Sequence, residues 1–546
     1  MNITRRVFST LLLLGACSTA FCAVKLPQIL SDGMIVQRGE PVRLWGTADP
    51  GETITAKADI KKAKPVTVTA DSEGTWSLEL PALKAGGPYT IRINDITLNN
   101  ILSGDVFLCS GQSNMELPVR RVTDMFADEI ASYENDNIRQ YAVPQTTAFH
   151  GPLDDTAPSA WRACTQKNVM NFSALAYFFA KQLNAATGVP VGIVNASWGG
   201  TPVEAWTSEE TIAQWPADLA KKKIYEDDGY RDRIKKLEGE NYARWNKQLY
   251  VSDPGLHAST KWFDPALDDS DWDVVDLLES AWGQDPKNGY NLNGSHWLRR
   301  HVEVSAEQAE GEATLRLGCF EGADSAFVNG TFVGTIGYQY PPRIYKIPAG
   351  VLHEGDNVVT VRGISGGGRP KFVLEKPYKI IFADGSETSL EGQWRHRTGA
   401  RMPQGPGMEF YHYTPVVLYN SMITPLFNMP FAGAIWYQGE SNVSNRREYA
   451  DKLTAMIADW RKGFNRPDMP FYIVELADFL HSSDKGGRSA WAEMRLQQAK
   501  VADADPHATL IKNSDLGEWN DIHPLDKKTL GIRVADAVLP TLPAKK

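Results

Sequence analysis

The sequence predicts an α/β protein: a parallel sheet with helices on both faces, preceded by a small immunoglobulin-like β-sandwich and interrupted by an inserted jelly-roll β-sandwich. Three observations carry this. Short apolar runs at 105–109, 191–195, 432–437, 471–475 and 508–511 read as strands buried on both faces. Helical stretches at 172–187, 447–463, 489–502 and 527–539 lie between and after them, as in a parallel α/β sheet. Period-two alternation fills 26–103 and returns between 253 and 395. The expected organisation is a signal segment at 1–23, a sandwich at 24–103, a catalytic domain in two parts at 104–252 and 396–546, and an insertion at 253–395.

Each element has a local reason. In the first sandwich, strands at 42–45, 53–56, 66–69, 76–80 and 89–93 are separated by Gly46, Pro50-Gly51, Asp71-Ser72-Glu73-Gly74 and Gly86-Gly87-Pro88, all turn formers. The spacing is that of an immunoglobulin-like domain. The helix at 172–187 is stopped by Gly188 and Pro190. In the insertion, strands at 298–304, 313–317, 325–329, 331–334 and 357–362 include the hairpin signal Asn329-Gly330.

Residues 1–23 read as an export signal. Arg5 and Arg6 form a basic start, residues 7–16 an apolar stretch too short to span a bilayer, and Ser18-Thr19-Ala20 supplies small residues for cleavage. The expected location is secreted or periplasmic. Leu14-Gly15-Ala16-Cys17 offers the alternative of a lipoprotein anchored through Cys17, and Thr4-Arg5-Arg6-Val7-Phe8 that of a twin-arginine signal. No transmembrane segment is expected elsewhere. Cys109, Cys164 and Cys319 are too far apart for a zinc site, and Cys109–Cys164 stands either as a disulfide or as two buried thiols. With 57 basic and 66 acidic residues the net charge is −9, which argues against a nucleic-acid partner. No Walker, dinucleotide or HExxH pattern is present, and no metal or cofactor is expected.

Ligands of such a sheet bind beyond the carboxyl ends of its strands. Four ends bring polar residues there: Ser110-Gly111-Gln112-Ser113-Asn114, Ser197-Trp198-Gly199-Gly200-Thr201, Gln438-Gly439-Glu440-Ser441-Asn442, and Asn513 to His523. Ser113 is the candidate nucleophile, on a turn where Gly111 permits a sharp bend. His523 follows the last strand and lies on that edge, whereas His507 precedes it and falls on the opposite one. Asp521, two residues before His523, suits the role of orienting the imidazole. The backbone N–H groups of Ser113 and of Gly199 or Gly200, with the Gln438 side-chain amide, are the candidate oxyanion donors.

These blocks, with Asp521-Ile522-His523-Pro524 as the last, resemble the sialate O-acetylesterase family of SGNH-type hydrolases, from about residue 26 to the C-terminus. The resemblance implies an SGNH-hydrolase-like sheet and a carbohydrate O-acetylesterase acting on acetylated sugars. It implies a Ser113 nucleophile, a His523 base partnered by Asp521, and oxyanion help from the Gly199-Gly200 turn. Gln438 stands where SGNH enzymes carry an asparagine, a departure from the pattern. Asn114, Trp198 and Glu440 are the candidate substrate-binding residues. Trp198, Trp206 and Trp436 suit either pyranose stacking or a core. Residues 317–363 resemble a galactose-binding-like sandwich, read either as a sugar-docking module or as a platform. Sialic acid and xylan are both credible carriers of the acetyl group. Two further readings remain: a glycosidase using Glu440 and Glu475 as its carboxylate pair, and a noncatalytic carbohydrate-binding protein.

Overall fold

A computed structural model describes residues 24–479 and 485–543. The expected signal segment and the Cys17 anchor lie outside the described residues. Seven strands run across the central sheet in the order Ala508–Ile511, Phe471–Val474, Gly433–Tyr437, Ile96–Gly111, Val191–Ser197, Asn135–Ala142 and Trp161–Cys164. All neighbours are parallel except the last pair. The five apolar runs are all strands: four are covered on both faces and have no polar side to show, whereas Ala508–Ile511 lies at the sheet edge and buries only Ile511.

Helices cover both faces, as the register shows. Phe107 packs edge-on against Phe179 of the helix Ala174–Thr187. Gly531 of the helix Lys527–Val538 lies so close to Phe178 and the Phe179 backbone that a Cβ would meet them at under 3 Å. Trp436 sits opposite Ser110, which points away from the Phe107 side, and packs on Trp460 of the helix Tyr449–Gly463. The helix Ala174–Thr187 starts on a Ser173 cap and ends on Gly188 in the left-handed region at φ 61°.

The strand Ile96–Gly111 serves two sheets. Its first half pairs with Gly86–Ile93 and Ile35–Gln37, and its second half with Val191–Ser197 and Gly433–Tyr437. The change of pattern expected at Gly104 is therefore a change of partners within one strand.

The region from 273 to 401 forms a six-stranded and a four-stranded antiparallel sheet around its own core, which includes Trp282, Leu298, Phe320, Phe372 and Trp394. The Asn329-Gly330 hairpin takes positive φ at both residues, 48° and 78°. Its last strand, Gln393–Arg401, continues past residue 395. Cys109, Cys164 and Cys319 are buried free thiols. Among the described residues no helix is long and apolar enough to cross a membrane.

Two histidines are buried in the insertion with rings stacked 5.5 Å apart. His296 Nε2 reaches the Leu292 carbonyl at 2.8 Å, so in the neutral ring its Nδ1 accepts from His396 Nε2 at 3.2 Å. Burial holds His296 below the usual histidine range and pushes His396 down to about 3. Both pKa values fall below that of the unfolded chain, so the stability they carry is complete above about pH 6.5 and declines as pH falls. His396 is expected to forfeit about 2 kcal/mol at about pH 5, and His296 contributes in the same direction. Urea midpoints measured at neutral and acid pH should show the fall, and His396→Gln should reduce it.

Candidate active site

The site is built at the carboxyl edge, where Gly111 ends its strand at φ 136°. A Cβ there would stand 2.1 Å from the Tyr437 carbonyl oxygen, so only glycine lets the two strands abut. The next backbone N–H, of Gln112, donates to that same oxygen at 3.0 Å. This fixes the direction in which Ser113 leaves the sheet.

Ser113 Oγ lies 2.8 Å from His523 Nε2, across 410 positions of sequence. His523 is buried, and its ring meets the Tyr340 ring edge-on at 5.3 Å. Burial, reinforced by the Lys527 and Arg121 cations, pushes its pKa down to about 3. The imidazole is therefore neutral at working pH, with Nε2 free to accept the serine proton. Asp521 Oδ1 stands 3.8 Å from His523 Nδ1 and accepts instead from the His523 backbone N–H at 2.8 Å. Nδ1 has no hydrogen-bond partner among the described residues. Asp521 orients the turn that carries the histidine, and reaches the ring across a gap wider than a hydrogen bond.

The oxyanion candidates divide. The Gly199 N–H donates to the Glu116 carboxylate, so that donor is occupied. The Ser113 and Gly200 residues line the cleft, and no acceptor among the described residues takes their backbone N–H groups. Gly200 sits at φ 75°, with Tyr413 where a Cβ would go. Gln438 requires a correction. It is fully buried, and its amide nitrogen is shared among Gln112 Oε1, Thr201 O and Asn442 Oδ1 at 2.8–3.2 Å. Its oxygen accepts from Tyr449 at 2.9 Å. Gln438 ties three loops together beneath the cleft and presents no donor to it.

Asn114 is corrected likewise. It is buried, donates to Glu440 Oε1 at 2.6 Å and to the Ile522 carbonyl at 2.9 Å, and accepts from Lys527 Nζ at 2.7 Å. It braces the histidine turn and does not face the cleft. Glu440 does line the cleft, and its Oε2 is buried without a hydrogen-bond partner among the described residues. Burial raises its pKa to about 7, while that of Lys527 falls to about 8, burial outweighing the acidic groups around it. Trp198 is half-buried and stacks on His412 at 4.4 Å, so one face of its indole is covered. Trp206 and Trp436 are fully buried and pack edge-on at 6.1 Å. Glu475 receives the Asn513 and Ser514 amides at 3.1 and 3.2 Å and is absent from the cleft walls, so it forms no pair there with Glu440.

Several contributors escape sequence reasoning. Gln112 and Asn442 lie inside the blocks already noted, yet their role as ties shows only in three dimensions. Gln112 Oε1 accepts from the Ser441 N–H at 3.2 Å, and Asn442 Nδ2 donates to Glu204 at 2.9 Å. Tyr340 and Lys376 come from the insertion, and no motif marks them. The cleft above Ser113 has a volume of about 1630 Å³, with walls that include Tyr242 and Trp245 of the helix Asp228–Ser252, Tyr338 and Tyr340, and Phe410 and Tyr413.

A family model described as carbohydrate esterase, sialic acid-specific acetylesterase, matches residues 103–237 and 401–540, just over half of the chain. Sialate O-acetylesterase of Pongo abelii is 30% identical over 222 residues, which are 37% of this chain and 42% of that protein. The Rattus norvegicus sialate O-acetylesterase is 32% identical over 202 residues, 33% of this chain and 37% of that protein. The matches thus span less than half the length of these relatives. A carbohydrate acetylesterase structure from Xanthomonas citri shares the fold at TM-score 0.55 and 24% identity, covering 94% of this chain and 73% of that one.

A base 2.8 Å from a serine hydroxyl is the arrangement that nucleophilic catalysis requires, and it is open to test. A fluorophosphonate probe should label the protein at Ser113, and Ser113→Ala should remove the label. His523→Ala should slow labelling by about 100-fold or more. Labelling should persist to about pH 5, because the base stays neutral well below the ordinary histidine value. An acid limb at or above that value would contradict the burial argument.

Proposed function

Because the chain belongs to the sialic acid-specific acetylesterase family of carbohydrate esterases, we propose that it removes O-acetyl groups from sugars through an acyl-enzyme on Ser113, most specifically as a sialate O-acetylesterase. The observation that carries this is the 2.8 Å contact between Ser113 Oγ and His523 Nε2 at the floor of the open cleft. In the proposed sequence His523 Nε2 takes the hydroxyl proton as Oγ attacks the acetyl carbonyl. The Ser113 and Gly200 N–H groups receive the oxyanion. The intermediate collapses, His523 protonates the departing sugar oxygen, and water then releases acetate by the same steps in reverse roles. Asp521 stabilises the transient imidazolium from 3.8 Å, a distance that tightens as the cation forms.

The cleft gives one observation on the sugar. Its volume of about 1630 Å³ exceeds the roughly 300–1,000 Å³ typical of a small-ligand pocket. Tyr338 and Phe410 on its walls are 58% and 51% exposed, Phe410 with one face stacked on Tyr413, and they offer aromatic surface for a sugar to pack on. This supports a second reading, an acetylxylan esterase of the same mechanism. The proposed setting is a platform made of an immunoglobulin-like sandwich and a galactose-binding-like jelly roll, in a secreted or periplasmic protein, with lipid anchoring at Cys17 as the alternative.

Acetate release from acetylated sialoglycan and from acetylated xylan, measured side by side, tests both readings. Ser113→Ala is expected to lower kcat by about 10³-fold or more on the true substrate. It should leave sugar binding within about two-fold, since the hydroxyl contributes little to ground-state affinity. Hydrolysis that survives in the variant sinks the proposal.

A further inference from the structure

We propose that Lys376, supplied by the insertion, is a positioning residue of the esterase site: it sets the orientation of Asp521 and of the turn that carries His523. The proposal rests on the roles given above to Ser113 and His523.

The turn at 518–523 is gripped by three consecutive residues of the insertion. The Leu374 carbonyl accepts from Asn520 Nδ2 at 2.7 Å, Glu375 Oε2 accepts from Trp519 Nε1 at 2.8 Å, and Lys376 Nζ donates to Glu518 Oε2 at 2.9 Å and to Asp521 Oδ2 at 3.2 Å. Glu375 takes the left-handed region at φ 57° to make this possible, a conformation that non-glycine residues adopt at a cost. The first two contacts hold the Asn520 and Trp519 side chains, whereas only Lys376 bears on the carboxylate that faces the imidazole.

That carboxylate has two oxygens with different duties. Oδ1 accepts from the His523 N–H and faces the ring, while Oδ2 is held by Lys376. The side chains of Lys376 and Asp521 are only 12% and 15% exposed, so the attraction between them is weakly screened. Burial alone would lower the Lys376 pKa, but Asp521 and Glu518 outweigh it and hold the ammonium charged. The charges around the pair come from several elements. Arg121 and Lys527 face His523, and the Cys319 thiol lies in the field of Asp521. Glu440 stands beyond Asn114, which also receives Lys527. Of the cations among these groups, Lys376 alone makes an ion pair with Asp521.

Without Lys376 the turn carries Glu518 and Asp521 with no cation between them. With the carboxylates charged, His523 is protonated more readily, which moves the acid limb of kcat to higher pH. Ground-state binding is untouched, because Lys376 does not line the cleft.

The test uses the full chain and a chromogenic acetate ester, with Lys376→Met, Lys376→Gln and Lys376→Arg. Lys379→Met serves as control, since Lys379 pairs with Glu387 within the insertion. Lys376→Met and Lys376→Gln should lower kcat about ten-fold or more, leave KM within about two-fold, and raise the acid limb by about one pH unit. Lys376→Arg, which keeps the charge, should retain kcat within about three-fold and the wild-type limb. The control should match the wild type. Wild-type kcat and limb in a folded Lys376→Met or Lys376→Gln overturn the proposal. So does a ten-fold loss in a folded Lys376→Arg, which stays informative if both neutral variants fail to melt cooperatively. A wild-type chain without Ser113-dependent hydrolysis would sink the esterase reading itself, whereas an active one indifferent to Lys376 sinks only this assignment.

Discussion

The contact on which this architecture turns is the 2.8 Å hydrogen bond between Ser113 and His523. It has to be made between a strand end and a turn that is fixed to no strand of its own. Each side is held by different means. On the serine side the constraint is steric: Gly111 has no room for a side chain beside Tyr437, so the chain leaves the sheet in one direction. On the histidine side the constraint is polar: Asn114 from below and residues 374–376 of the insertion from the flank fix residues 518–523. A small error on either side would open the bond, and proton transfer falls steeply with distance.

The same packing sets the electrostatics. A neutral His523, a Glu440 raised to about 7 and a Lys527 lowered to about 8 share one cause, the burial of all three side chains around the serine. Asn114 separates the last two, donating to the carboxylate and accepting from the ammonium. Such groups are costly to bury singly and tolerable as a satisfied network. The exceptions are Glu440 Oε2 and His523 Nδ1, which have no hydrogen-bond partner among the described residues, and both side chains stand on the cleft wall.

Much of this was legible in the chain itself, and the reason is geometric. Strands buried on both faces must be apolar throughout, so 105–109, 191–195 and 432–437 stand out, and whatever polar residue follows each one is delivered to the same edge. Spacing places a residue on that edge without fixing which way it turns, which is why Gln438 and Asn114 proved to face inward. The helix Asp228–Ser252 left little trace, because Arg231 and Leu249 are its only buried residues and a polar helix has no apolar stripe. The strand Asn135–Ala142 hides for a related reason: its buried run contains Arg139 and Gln140, whose polar ends are satisfied by tertiary partners. Tyr340 and Lys376 were beyond reach, since nothing local distinguishes a lysine that meets a carboxylate 145 positions away.

The strand Ile96–Gly111 gives the N-terminal sandwich a status different from that of an appended module. A module joined by a linker can be lost, swapped or inherited separately, because its core closes on itself. Here one backbone carries the ladder of both sheets, and the residue that ends it precedes Ser113 by two. Removing the sandwich would strip neighbours from half of that strand and leave an unpaired edge on the catalytic sheet, a template for self-association. Unfolding should accordingly spread from one sheet to the other as a single cooperative event, and recombination that separates them should be selected against. The two β-rich parts of the chain thus differ in evolutionary freedom: the insertion touches the site through a few separate contacts, most of them side chains that single mutations can alter, whereas the sandwich is continuous with its scaffold.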